Sequence, residues 1–150
     1  MSYSIQAFVA LQGTFNADPS KGLTVIRLDN GAEIVPIGST TRKLYGIPVL
    51  PLTDDGSEEL PAALLQLHSR LGSQRPVAYI EAELFGGSGA QAHVLISQDG
   101  TDAGVNVSDD AINDALVWLG VQPCDGKDRF DTVGLGKHRE TDGWLVSCDQ

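Results

Sequence analysis

The chain has 150 residues, 41% of them hydrophobic and 20% charged, with a formal net charge of −10. That length suits one domain with a sizeable core, the apolar fraction excludes the disordered class, and no run approaches the roughly 18 apolar residues of a membrane helix. Met1 to Gln6 lacks the basic and apolar regions of a secretory signal, and the only cysteines are Cys124 and Cys148, so the expectation is a single domain over 1–150 with free thiols in a reducing cytoplasm.

Ser2 to Leu11 sets Tyr3, Ile5, Ala7 and Val9 against Ser4, Gln6, Phe8 and Ala10, the period of a half-buried strand. Gly13 to Gly22 reads as a loop. Leu23 to Leu28 predicts a second strand, Asp29-Asn30-Gly31 a turn, and Glu33 to Ile37 a short returning strand whose Pro36 suggests an edge. Thr40 to Tyr45 is ambiguous. Ile47 to Leu52 carries Pro48 and Pro51 and reads as an extended segment or edge strand. A helix then starts near Pro61, with Leu60, Leu64, Leu67 and Leu71 on one face, and Gly72 closes it. His68 sits at the margin of that stripe.

Pro76 to Phe85 is the clearest strand and Ala90 to Ser97 the next, with Asp99-Gly100 as a turn. Ser108 reads as an N-cap, followed by a second helix with Ile112, Ala115, Leu116 and Leu119 at helical spacing and Gly120 at its end. The remainder reads mostly as loop, with Trp144 to Cys148 as a last strand. Sequential strands with few helices between them predict an α+β fold, a mainly antiparallel sheet with two helices packed on one face.

In Pro76 to Phe85, Ala78, Ile80, Ala82 and Leu84 share one strand face, expected to meet the core, and Tyr79, Glu81, Glu83 and Phe85 share the other. Two carboxylates two residues apart on one face lie roughly 7 Å from each other. Such pairs do acid–base work or hold a hard cation, and they equally form a solvated outer face. The following Gly86-Gly87-Ser88-Gly89 resembles a phosphate loop, but Ala92 to Ile96 reads as a strand, where a phosphate loop requires a helix. A Gly-rich hairpin connection is the better reading. Whether Gln91 and His93 join the glutamates depends on register. An even pairing sum places His93 on their face and an odd sum places Ala92 and Val94 there; the even sum is preferred because His93 then gains an acidic neighbour. The candidate binding set is therefore Tyr79, Glu81, Glu83, Phe85, Gly87, Gln91 and His93. No metal or cofactor is expected, since Cys124, Cys148, His93 and His138 lack compact ligand spacing.

Charge is divided unevenly. Residues 1–75 carry a balance of −1 and residues 76–150 a balance of −9, and no Lys or Arg stands between Arg75 and Lys127. A half so acidic disfavours direct contact with nucleic acid or an anionic membrane, and it suits a basic protein partner.

The stretch Pro76 to Gln91, with its Tyr79-Ile80-Glu81-Ala82-Glu83 core and the Phe85-Gly86-Gly87 that follows, resembles the central motif of a family of small uncharacterised bacterial proteins. Ile112 to Leu116 and Phe130 to Arg139 look like further segments of that family. The resemblance implies no catalytic roles. In size and acidity the chain is also similar to immunity proteins that neutralise bacterial toxins. The functional expectation is a non-enzymatic acidic binding protein, immunity-like, contacting a basic partner through its C-terminal half. The alternative is a small enzyme or ligand-binding domain centred on Glu81, Glu83 and His93.

Overall fold

The computed structural model describes residues 2–15, 23–71, 75–85 and 88–148. Its strands are β1 (Ser2–Leu11), β2 (Ile26–Arg27), β3 (Ala32–Pro36), β4 (Val77–Phe85), β5 (Ser88–Ile96) and β6 (Asp102–Val107). They form one sheet in the order β2-β3-β1-β4-β5-β6, and every pairing is antiparallel. The helices are α1 (Ser39–Tyr45), α2 (Ala62–Arg70), α3 (Ala111–Leu119), α4 (Arg129–Val133) and α5 (Thr141–Cys148). The expected α+β class and antiparallel sheet are present.

The two expected helices form, but on opposite sides of the sheet. Ile112, Ala115, Leu116 and Leu119 of α3 bury against Ile5, Ala7, Val9, Ala78, Ile80 and Ala82. Leu64 and Leu67 of α2, with Leu71, bury against Phe8, Ala10, Val77 and Tyr79. The reason lies in the central strands. Phe8 and Ala10 occupy the side of β1 that simple alternation assigns to water, so both faces of the sheet are apolar there and both need a cover.

Other expectations are corrected locally. The predicted strand over Leu23 to Leu28 shrinks to Ile26–Arg27. Ile47 to Leu52 is irregular, with Leu50 in the left-handed region at φ 42°. Trp144 to Cys148 belongs to a helix, and Trp144 is buried on the α3 side of the sheet, against the His138 ring at 4.6 Å. Ser108 does not cap α3. Asp110 holds that position without a side-chain bond, and Gln91 Oε1 accepts from the early Ile112 N–H at 3.1 Å. Gly72 lies outside the described residues. Among the described residues no helix is long and apolar enough to cross a membrane.

Candidate functional site

β4 is the middle of the sheet, and its two faces meet two different surroundings. Its partner β1 sets Gln6 opposite Glu81 and Phe8 opposite Tyr79. These four side chains point to the α2 side, where residues 47–60 form a covering layer through Ile47, Leu52 and Leu60. The sequence-based assignment of Tyr79 and Glu81 to an outward face is therefore wrong: both are 0% exposed.

A carboxylate removed from water must find donors. Glu81 Oε1 accepts from Leu52 N at 3.1 Å, Thr53 N at 3.0 Å and Thr53 Oγ1 at 3.1 Å. Oε2 accepts from Leu52 N at 3.2 Å and from Tyr79 Oη at 2.6 Å. Burial raises the Glu81 carboxyl above the ordinary carboxylate range, and the four donors oppose the rise without cancelling it. Burial, then the Glu81 charge, pushes the Tyr79 hydroxyl well up, so it remains a protonated donor.

The chain of polar groups continues. Gln6 Nε2 donates to Tyr79 Oη at 3.0 Å and to Pro48 O at 3.0 Å, and Arg42 Nη1 donates to Gln6 Oε1 at 3.3 Å and to Ile37 O at 2.8 Å. This is the place where β3 leaves β1. Beyond Pro36 the Gln6 N–H donates to Thr141 Oγ1 at 3.0 Å, and the Ser4 N–H donates to Arg139 O at 2.8 Å. The network thus joins α1, β1, β4, the 47–53 segment and the start of α5. It opens on a cleft of ≈130 Å³ beside Gln6, Arg42, Leu50 and Asp142. Ligand sites for small molecules usually measure about 300–1,000 Å³. A shallow concavity of ≈610 Å³ along residues 57–62 touches none of this group.

Glu83 parts company with Glu81. It is half-buried, and burial, then the charge of Asp54 and a hydrogen bond with it, raises its pKa. The expected carboxylate pair is thus replaced by two separate arrangements, one interior and one at the rim.

The hairpin register removes His93 from the glutamates. Ile80 pairs with His93 and Glu81 with Ala92, an odd sum, so His93 and Gln91 face α3. His93 is 5% exposed, and burial lowers its pKa against the opposing charge of Asp114. Its Nδ1 is without a hydrogen-bond partner among the described residues. Gln91 serves α3, as described above. Gly87 and the side chain of Phe85 lie outside the described residues. Pairing up to Phe85 and Ser88 does show that the Gly-rich segment joins strand to strand. A Cβ on Gly89, whose φ is 145°, would sit 2.0 Å from Glu83 O, so only glycine fits there.

Two features were missed by sequence reasoning. Glu33 is a second buried carboxylate, accepting from Gly13 N, with no signal beyond its place in a strand of apolar residues. The other is β6, which ends the sheet and is almost wholly exposed. Around it stand Asp99 in the β5–β6 turn, Asp102 in the strand, Asp109 and Asp110 in the connection to α3, and Asp114 in the first turn of α3. All five are exposed. The carboxylates of Asp99 and Asp102 accept from Thr101 N at 3.0 Å and Gly104 N at 3.1 Å, which shapes the turn without neutralising them. Comparison with protein-family models, with curated proteins and with solved structures finds no match for the chain.

Proposed function

We propose that the protein is a non-enzymatic acidic binding protein, immunity-like in character and cytoplasmic, which meets a basic protein partner through its C-terminal half. The observation that carries this reading is that Asp99, Asp102, Asp109, Asp110 and Asp114, all exposed, follow one another along β6, its flanking turns and the start of α3, in an interval without Lys or Arg. Charges of one sign spread along an edge give that edge a negative potential, which accelerates encounter with a cationic surface and makes binding sensitive to salt. The same field disfavours direct contact with nucleic acid. The ligand-binding alternative has less support, because Glu81 is engaged by four donors and His93 stands on the other face of the sheet.

The test compares the native chain with a variant in which these five aspartates are asparagine, each immobilised and exposed to extract of its own cells at low and high salt. The expected result is a basic protein held by the native chain at low salt, released at high salt, and not held by the variant. Equal capture by the variant, or recovery of a bound small molecule without a basic protein, would overturn the reading.

A further inference from the structure

The ladder between β5 and β6 fixes which backbone groups of β6 face outward. Ser108 N donates to Gln91 O at 3.2 Å, so 91 and 108 form a hydrogen-bonded pair. Antiparallel ladders alternate, which makes His93–Asn106 bonded and leaves Ala92–Val107 and Val94–Val105 as the non-bonded pairs. In a non-bonded pair the N–H and C=O groups point away from the partner strand. Those of Val105 and Val107 therefore face the open side of the sheet, where no strand follows β6 among the described residues. Val107 also presents a side chain that is 56% exposed, beside half-buried Val105 on the same face.

Edge strands are commonly defended by charge and by bulges. Both devices are present: the register shifts between Val94 and Ile96, Gly104 takes φ 88°, and aspartates stand at both ends of the strand. The defence is selective in sign. Antiparallel pairing of two copies of β6 would bring Asp102 of one toward Asp109 and Asp110 of the other, an unfavourable meeting of like charges. A strand bearing lysine or arginine at the matching places meets attraction at both ends instead.

Resting on the proposed reading, we infer that the basic partner docks by adding an extended segment to the free edge of β6. Its backbone pairs with Val105 and Val107, an apolar side chain covers Val107, and its cations meet the flanking aspartates. Main-chain bonds would supply affinity and charge would choose the partner.

The test uses a hexapeptide alternating lysine and valine, with an alternating glutamate–valine peptide as control, followed by NMR of the native chain at low salt. Binding of the lysine peptide should slow hydrogen exchange of the Val105 and Val107 amides by about tenfold or more. Val107→Pro removes an outward N–H that β5 does not use, a placement that edge strands accept, and should weaken binding by about tenfold. If the lysine peptide binds without slowing those amides, the edge-docking inference fails while the charge reading stands. If it binds no better than the glutamate peptide, both fail. A chain that dimerises with the two amides already protected would show that a second copy occupies the edge, which also overturns the inference.

Discussion

Replacing Glu81 separates the two roles its carboxylate plays, as an acceptor and as a buried charge. In Glu81→Leu, the Leu52 and Thr53 amides, the Thr53 hydroxyl and the Tyr79 hydroxyl lose their acceptor together. A buried donor left unmet costs about 1–3 kcal/mol. Leu52 and Tyr79 are fully interior whereas Thr53 is half-buried and can turn to water, so the expected loss is about 3–5 kcal/mol. Glu81→Gln keeps one oxygen where Oε1 now lies, which retains the Leu52 and Thr53 donors, and strands the Tyr79 hydroxyl hydrogen and an N–H of its own amide where Oε2 now lies. It also removes an ionised group from a dry site. The two effects oppose each other, and the expected change is within about 1 kcal/mol. Urea denaturation at neutral pH reads both values, and amide exchange at Leu52 and Thr53 should accelerate in the leucine variant alone. A glutamine variant as unstable as the leucine one would refute the claim that acceptor geometry holds the 47–53 segment. The pH dependence follows from sign. A carboxyl whose folded pKa lies above its unfolded value of 4.5 subtracts stability while ionised, so the native chain should gain on the glutamine variant as pH falls toward 4.5.

Three further outcomes follow from the same geometry. His93, held neutral by burial, should cost stability as pH falls below its ordinary 6.5, because the unfolded chain takes the proton first; His93→Gln should lessen that loss in denaturation measured from pH 7.5 to 5.5. Gly89→Ala should destabilise by about 2–4 kcal/mol in thermal or urea unfolding, since a methyl at that φ meets the Glu83 carbonyl and the backbone must shift. Asp54→Asn should bring the Glu83 carboxyl back toward its ordinary range in an NMR carboxyl titration, and an unchanged Glu83 would show that Asp54 does not reach it.

The legible parts of the fold were those where period and terminators agreed. β4 and β5 follow their apolar runs, and α3 ends at Gly120, whose φ of 97° is what a left-handed helix stop requires. The candidate site was read with its faces misassigned. Glu81 in an alternating strand suggests water, yet Tyr79 beside it, and Phe8 and Ala10 on the neighbouring β1, make the supposed outer face apolar. A central strand with aromatics on its polar side is covered on both faces, and that signal was available. Three of the four donors that make a buried Glu81 tolerable come from Leu52 and Thr53, about thirty positions earlier, and no local pattern announces them. β6 was hidden by its own composition, since Asp102, Gly104 and Asn106 are turn formers and only its pairing to β5 makes it a strand. Trp144, Leu145 and Val146 favour a strand by residue type, whereas Thr141–Cys148 is helical and Trp144 is buried in the core on the α3 side.

The proposed recognition by the acidic edge of the sheet, as distinct from net charge at large, is checked by the association rate of a lysine-rich peptide across a salt series for three chains. These are the native protein, the variant with Asp99, Asp102, Asp109, Asp110 and Asp114 changed to asparagine, and a control with Asp54, Asp55, Glu58, Glu59 and Asp125 changed to their amides, which removes the same charge elsewhere. The first variant should lose most of the rate and of its salt dependence while the control keeps both. Equal losses in the two variants would contradict it.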